Sequence, residues 1–172
     1  FVFSALFGAT DKDSHKNKNK TRLAKPTLAN KDIKLHDVGN MWLAVTNYGQ
    51  FGSAGEGGIP SCEFPANSDV EYLFYGGLWI GALVDEDTMV SVATDGANPG
   101  PGGTREAFFP GWGEGDTILV RSTRKGTSHY DSLAKSEQDF IAVYTDTSLK
   151  MAFPGHRPMG IEITQKSYAW SY

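Results

Sequence analysis

The sequence holds one cysteine, Cys62, in 172 residues. An internal disulfide is therefore impossible, and the fold rests on burial and hydrogen bonding alone. Long apolar runs are missing too: the opening "FVFSALFGA" falls well short of the ~20 residues a membrane-spanning helix needs. Helical periodicity is scarce, because no window keeps apolar residues at i, i+3, i+4 and i+7 for three turns. The sequence also lacks G-x-S-x-G, H-E-x-x-H and a Cys-His pair in recognisable context, and no Gly-Lys-Ser/Thr follows its glycine runs. These absences argue against a disulfide scaffold, a helical bundle, a helical membrane anchor and the familiar hydrolase and phosphate-loop signatures.

What is present is glycine and aromatic residues. Twenty glycines and 12% aromatics favour many tight turns joining aromatic-bearing strands. "NMWLAVTNYG" (40–49) alternates Trp42, Ala44, Thr46 against Met41, Leu43, Val45 and reads as a strand covered on both faces. "QFGSAGEGGIPSCEFPANSD" then reads as one long loop, which in a compact domain is functional or poorly ordered. Strands are expected over Glu71–Val84 and Thr88–Ala93, joined through Asp85-Glu86-Asp87, with Gly76-Gly77 marking a close approach of backbone. "TILVRS" (117–122), "DFIAVYTDT" and "IEITQKSYAWS" follow as further strands, with a short helix near Ser132–Gln138. Apolar runs cut by glycine loops predict an all-β fold: an antiparallel β-sandwich-like domain with long Gly/Pro-rich loops.

Charge is unevenly spread. Through Val38 there are eight basic residues against four acidic ones, a net +4; the remainder holds eight against sixteen, a net −8. An acidic body repels phosphates, so no nucleic-acid partner is expected. The segment 10–37 reads as a basic flexible linker. Residues 1–9 resemble the tail of a signal-peptide apolar region, and "SYAWSY" ends within a strand-like run. The expected organisation is thus a partial leader (1–9), the linker, and an incomplete β module (38–172), with no membrane span.

"WLAVTNYGQFG", "SCEFPANSDVEYLFYGGLWIGALVDEDTMVSVATDG", "SEQDFIAVYTDT" and "HRPMGIEITQKSYAWSY" occur in that order. Together they resemble the N-terminal region of large uncharacterised exported proteins of Gram-negative bacteria, many of which end in a type IX secretion (Por) sorting domain. The resemblance spans most of 40–172. It implies secretion or display on the outer cell surface, and further β modules downstream in the same polypeptide as partners. It supplies no catalytic residues to carry over.

Candidate sites follow from residue chemistry. Asp85 and Asp87, with Asp95 beyond the hairpin, have the hard oxygens that Ca²⁺ prefers, although acids at a hairpin tip also simply face solvent. No other cofactor is implied. Glycoside hydrolysis needs two carboxyls across a cleft, for which Glu63, Glu71, Glu106, Glu137 and Asp139 are available without any spacing that singles out a pair. Sugar binders use exposed rings flanked by polar groups; here Trp112, Phe109 and Arg105, in the stretch "TREAFFPGWGEGD", form that constellation. Trp42 and Trp79, on strands, are expected to pack in the core. The functional expectation is a non-catalytic, structural or adhesive N-terminal module, the alternative being a carbohydrate-binding module or accessory part of a polysaccharide-degrading enzyme that meets extracellular glycan.

Overall fold

The computed structural model describes residues 2–9 as backbone, and 31–53, 55–94, 106–110, 117–147 and 155–171 in full apart from the side chain of residue 56. Twelve strands occur among them: β1 (Val2–Ala9), β2 (Ile33–His36), β3 (Trp42–Thr46), β4 (Gln50–Phe51), β5 (Cys62–Glu63), β6 (Gly76–Gly77), β7 (Trp79–Val84), β8 (Asp87–Val92), β9 (Phe109–Pro110), β10 (Leu119–Arg121), β11 (Gln138–Thr145) and β12 (Ile161–Ala169). One sheet runs β1-β12-β11-β10, with β9 also on β11. A second runs β2-β3-β4-β6, with β5 on β3, and β7-β8 form a separate two-stranded hairpin. Every strand pairing is antiparallel. The architecture is all-β and sandwich-like, as the alternation requires.

The core lies between the two larger sheets. Leu43 and Val45 of β3 face Phe140, Ala142 and Tyr144 of β11 and Ile163 of β12, with Ala93, Phe108 and Ile118 completing the cluster. Residues spaced by two on a strand share a face, so Phe140, Ala142 and Tyr144 are the inward set of β11. Leu43, Ala44, Val45 and Thr46 are all buried, so β3 is covered on both faces as its sequence suggests.

Three expectations change. Strand β2 lies inside the stretch expected as linker; its Ile33 and Leu35 are too few, among lysines, to signal a strand on their own. Residues 2–9 form β1, paired along β12 from Val2↔Tyr168 to Ala9↔Ile161. The loop after Gly49 is broken by β4, a one-turn 3-10 segment at Glu56–Gly58, and β5. Where a helix was expected near Ser132–Gln138 the backbone makes turns, because Asp139 accepts the amides of Lys135 (2.7 Å) and Ser136 (2.8 Å) and folds the chain into β11.

The close approach at Gly76-Gly77 is present. A Cβ on Gly76 would lie 2.4 Å from Cε2 of Phe51, and one on Gly77 would lie 2.8 Å from Cγ2 of Thr94. Only glycine lets β6 lie against β4 with the Phe51 ring across it.

Candidate functional site

Of the expected acids, Glu63, Glu71 and Asp139 are bonded to backbone amides. Glu63 is buried and accepts the amide of Ser68 at 2.6 Å. Glu71 accepts those of Ser61 (3.0 Å) and Cys62 (2.7 Å), and an isolated antiparallel bridge joins Glu63 to Glu71. Asp139 also takes the hydroxyl of Ser136 at 2.5 Å. Asp146, fully buried, accepts Ser91 Oγ (2.7 Å) and the amides of Met159, Gly160 and Ile161. Glu137 bonds Arg124 and Ser171, and Ser171 heads the causes that lower its pKa. Glu63, Glu71, Asp139 and Asp146 each hold a loop by its backbone amides. Burial, and then the charge of Glu71, push the Cys62 thiol pKa up, which disfavours the reactive thiolate.

One arrangement escaped the sequence reading. His36 Nδ1 lies 3.1 Å from Gln138 Oε1, and Nε2 lies 2.7 Å from Ser167 Oγ. Gln138 Oε1 also accepts the Asp37 amide, so Nδ1 carries the proton and Nε2 accepts from the serine. This is the order nucleophile, base, orienter. His36 and Ser167 are both 0% exposed, however, and the imidazole stacks on Phe140 at 4.0 Å. Burial is the main force on the ring and lowers its pKa to about 4, against the upward pull of Gln138 and Asp37. No substrate reaches a hydroxyl so enclosed. The trio instead bonds β2 of one sheet to β11 and β12 of the other. Its only trace in the sequence is a lone histidine beside a basic segment.

The exposed face is elsewhere. In the β7-β8 hairpin, Ile80, Ala82, Met89 and Ser91 turn toward the sandwich, while Trp79, Gly81, Leu83 and Val90 turn outward, with Gly81 opposite Val90. Trp79 is 62% exposed and Leu83 76%, which overturns the expectation that Trp79 packs in the core. Its indole N–H donates to Thr94 O at 2.8 Å, so the exposed ring is held at its edge. Tyr72 and Phe74, just before β6, are exposed as well. Trp42 is half-buried, its indole donating to Asp37 O.

The remaining residues singled out in the sequence fall as follows. Phe109 is 2% exposed in β9, paired to Thr145, so it is a core ring and not a surface platform. Asp85 occupies the hairpin turn at φ 55°, and Asp87 is bonded to Arg157 at 2.9 Å. Arg105, Trp112 and Asp95 lie outside the described residues. Among the described residues no group of three His, Cys, Asp or Glu could hold a metal ion, and no helix is long and apolar enough to cross a membrane.

A small pocket of about 170 Å³ opens beside Phe109, lined by Lys31, Asp32, Ile33, Tyr48, Gln50 and Glu106. Lys31 Nζ lies 2.5 Å from Glu106 Oε2, 4.4 Å from the Tyr48 ring centre and 5.6 Å from that of Phe109. A wider, open groove of about 800 Å³ runs along Leu35, Leu119, Val120, Ile141 and Val143. Compared with known proteins, the chain matches no family model, no curated protein and no solved structure.

Proposed function

We propose that this chain is a non-catalytic β module that acts by adhesion, within a secreted or surface-displayed protein of a Gram-negative bacterium. The observation that carries the reading is the outward face of the hairpin, where Trp79, Leu83 and Val90 stand in solvent around Gly81. A contiguous exposed apolar face marks a contact surface more often than an accident of folding. The buried carboxylates of Glu63, Asp139 and Asp146 support the non-catalytic half of the proposal, since they are bonded to backbone amides within loops. The four ordered motifs and their resemblance to exported proteins support the address, and type IX export and docking to downstream β modules belong to the same proposal.

The test is binding of the labelled protein to cell-envelope fragments of the source bacterium. Covering a large apolar side chain is worth ~1.5–3 kcal/mol, or roughly tenfold or more in affinity. The double variant Trp79→Ser, Leu83→Ser should bind at least about tenfold more weakly with an unchanged melting temperature. Equal binding by the double variant would remove the adhesive reading.

A further inference from the structure

Among the described residues, the polar cluster around the pocket beside Phe109 has hydrogen-bonding capacity to spare. Its members are nonetheless fixed. Asp32 donates its amide to Asn47 Oδ1 at 2.7 Å, and its Oδ2 accepts the Ile118 amide at 3.0 Å and faces Lys34 at 3.5 Å. Gln50 donates both amide hydrogens, to Ala93 O (3.1 Å) and Glu106 Oε1 (3.3 Å). Among the described residues, that leaves Gln50 Oε1, Asp32 Oδ1 and two of the three Lys31 N–H groups without a partner. Donors and acceptors already held in place, with bonds still to give, are what a specific polar site requires.

The lining also narrows the ligand. The lining carries Lys31, Asp32 and Glu106, and Lys34, outside it, pairs with Asp32 at 3.5 Å, so the described charges cancel and favour neither an anion nor a cation. Polar side chains on most sides do not suit an acyl chain. A space of about 170 Å³ holds roughly six waters at ~30 Å³ each, too little for a nucleotide or a folded peptide. The Tyr48 face is already covered by Lys31, so recognition is by hydrogen bonds and not by stacking.

We infer that this pocket is a subsite for one neutral, polyhydroxylated ring, the terminal unit of a glycan. Lys31 donates to ring hydroxyls, and Gln50 and Asp32 accept from them. Glu106 keeps the lysine in place. The site goes beyond the adhesive reading and shares no residue with the hairpin face, so either can fail alone. It also moves the expected sugar contact from an exposed ring to a polar cup lined by Lys31, Asp32, Gln50 and Glu106.

The experiment is an array of immobilised oligosaccharides presenting neutral hexoses, deoxyhexoses, N-acetylhexosamines and charged sugars as terminal units. Saturable binding to at least one neutral terminal unit is expected. It should weaken at least about tenfold in Glu106→Gln and in Gln50→Ala, both judged folded by an unchanged melting profile, and persist in Trp79→Ser. Absence of binding to every unit, binding confined to charged sugars, or binding that survives both pocket substitutions would overturn the assignment. Loss in Trp79→Ser alone would assign the glycan to the hairpin face and overturn it equally.

Discussion

Strands β11 and β7 invite comparison. β11 reads "QDFIAVYT" and β7 reads "WIGALV", so β7 is the more apolar of the two. Yet Phe140, Ala142 and Tyr144 of β11 are buried, while Trp79 and Leu83 of β7 stand mostly in water. The difference lies in what covers each strand. β11 is flanked in its sheet by β12, β10 and β9, and its inward face meets β3 across the core. β7 pairs, among the described residues, with β8 alone, and only one face of the hairpin meets the sandwich. Apolar content specifies that a face should be covered, and topology decides whether this chain covers it.

That contrast is broken most severely in the core. Phe108 is 0% exposed and packs on Tyr144 at 5.6 Å between ring centres. Phe108→Ala should cost about 3–5 kcal/mol, since both transfer free energy and a cavity are lost. Chemical denaturation measures it, with Leu83→Ala as the matched control, expected within about 0.5 kcal/mol. A comparable loss at Leu83 would mean that the hairpin face is covered in solution.

The sheet-to-sheet bond at His36 gives the next largest effect, through pH. Burial lowers the folded-state pKa from 6.5 to about 4, so between these values the unfolded chain binds the extra proton. Stability contributed by the neutral ring is complete above pH 6.5 and drains away as pH falls toward 4. The whole shift is worth about 3 kcal/mol at ~1.36 kcal/mol per pH unit. Denaturation midpoints followed across this range in wild type and His36→Gln should diverge, the variant giving the flatter profile. Parallel profiles would place the acid response elsewhere.

The sequence disclosed one side of this comparison better than the other. The two-faced alternation of β3 and the long runs of β11 and β12 place themselves, because a period of two with β-branched and aromatic residues leaves little else for the backbone to do. Gly76-Gly77 is legible for a related reason, as paired glycines inside an apolar run point to a backbone that has something against it. His36 is not legible. Its partners Gln138 and Ser167 lie 102 and 131 residues away, and nothing local announces contacts of that range. The exposure of Trp79 is hidden likewise, because alternation tells which residues share a face and not whether another layer lies upon it. The polar pocket joins Lys31, Gln50 and Glu106 from three separated segments, so only the fold assembles it.

Glycine supplies the finest test, because the same residue occurs in both environments. At Gly76 an added methyl would meet the Phe51 ring at 2.4 Å, and at Gly81, on the open hairpin face, its nearest neighbour is Met89 O at 3.8 Å. Neither glycine has the positive φ that would strain a side chain by itself. Gly76→Ala should therefore lose about 1–3 kcal/mol through overpacking. Gly81→Ala should gain about 0.5–1 kcal/mol, since alanine has less backbone entropy to surrender in a strand and finds space for its methyl. Opposite signs from one substitution, read by denaturant midpoints, would establish that β6 is sealed and β7 open. A loss at Gly81 as large as that at Gly76 would require something packed on the outward face of the hairpin, and the apolar surface assigned to adhesion would already be occupied.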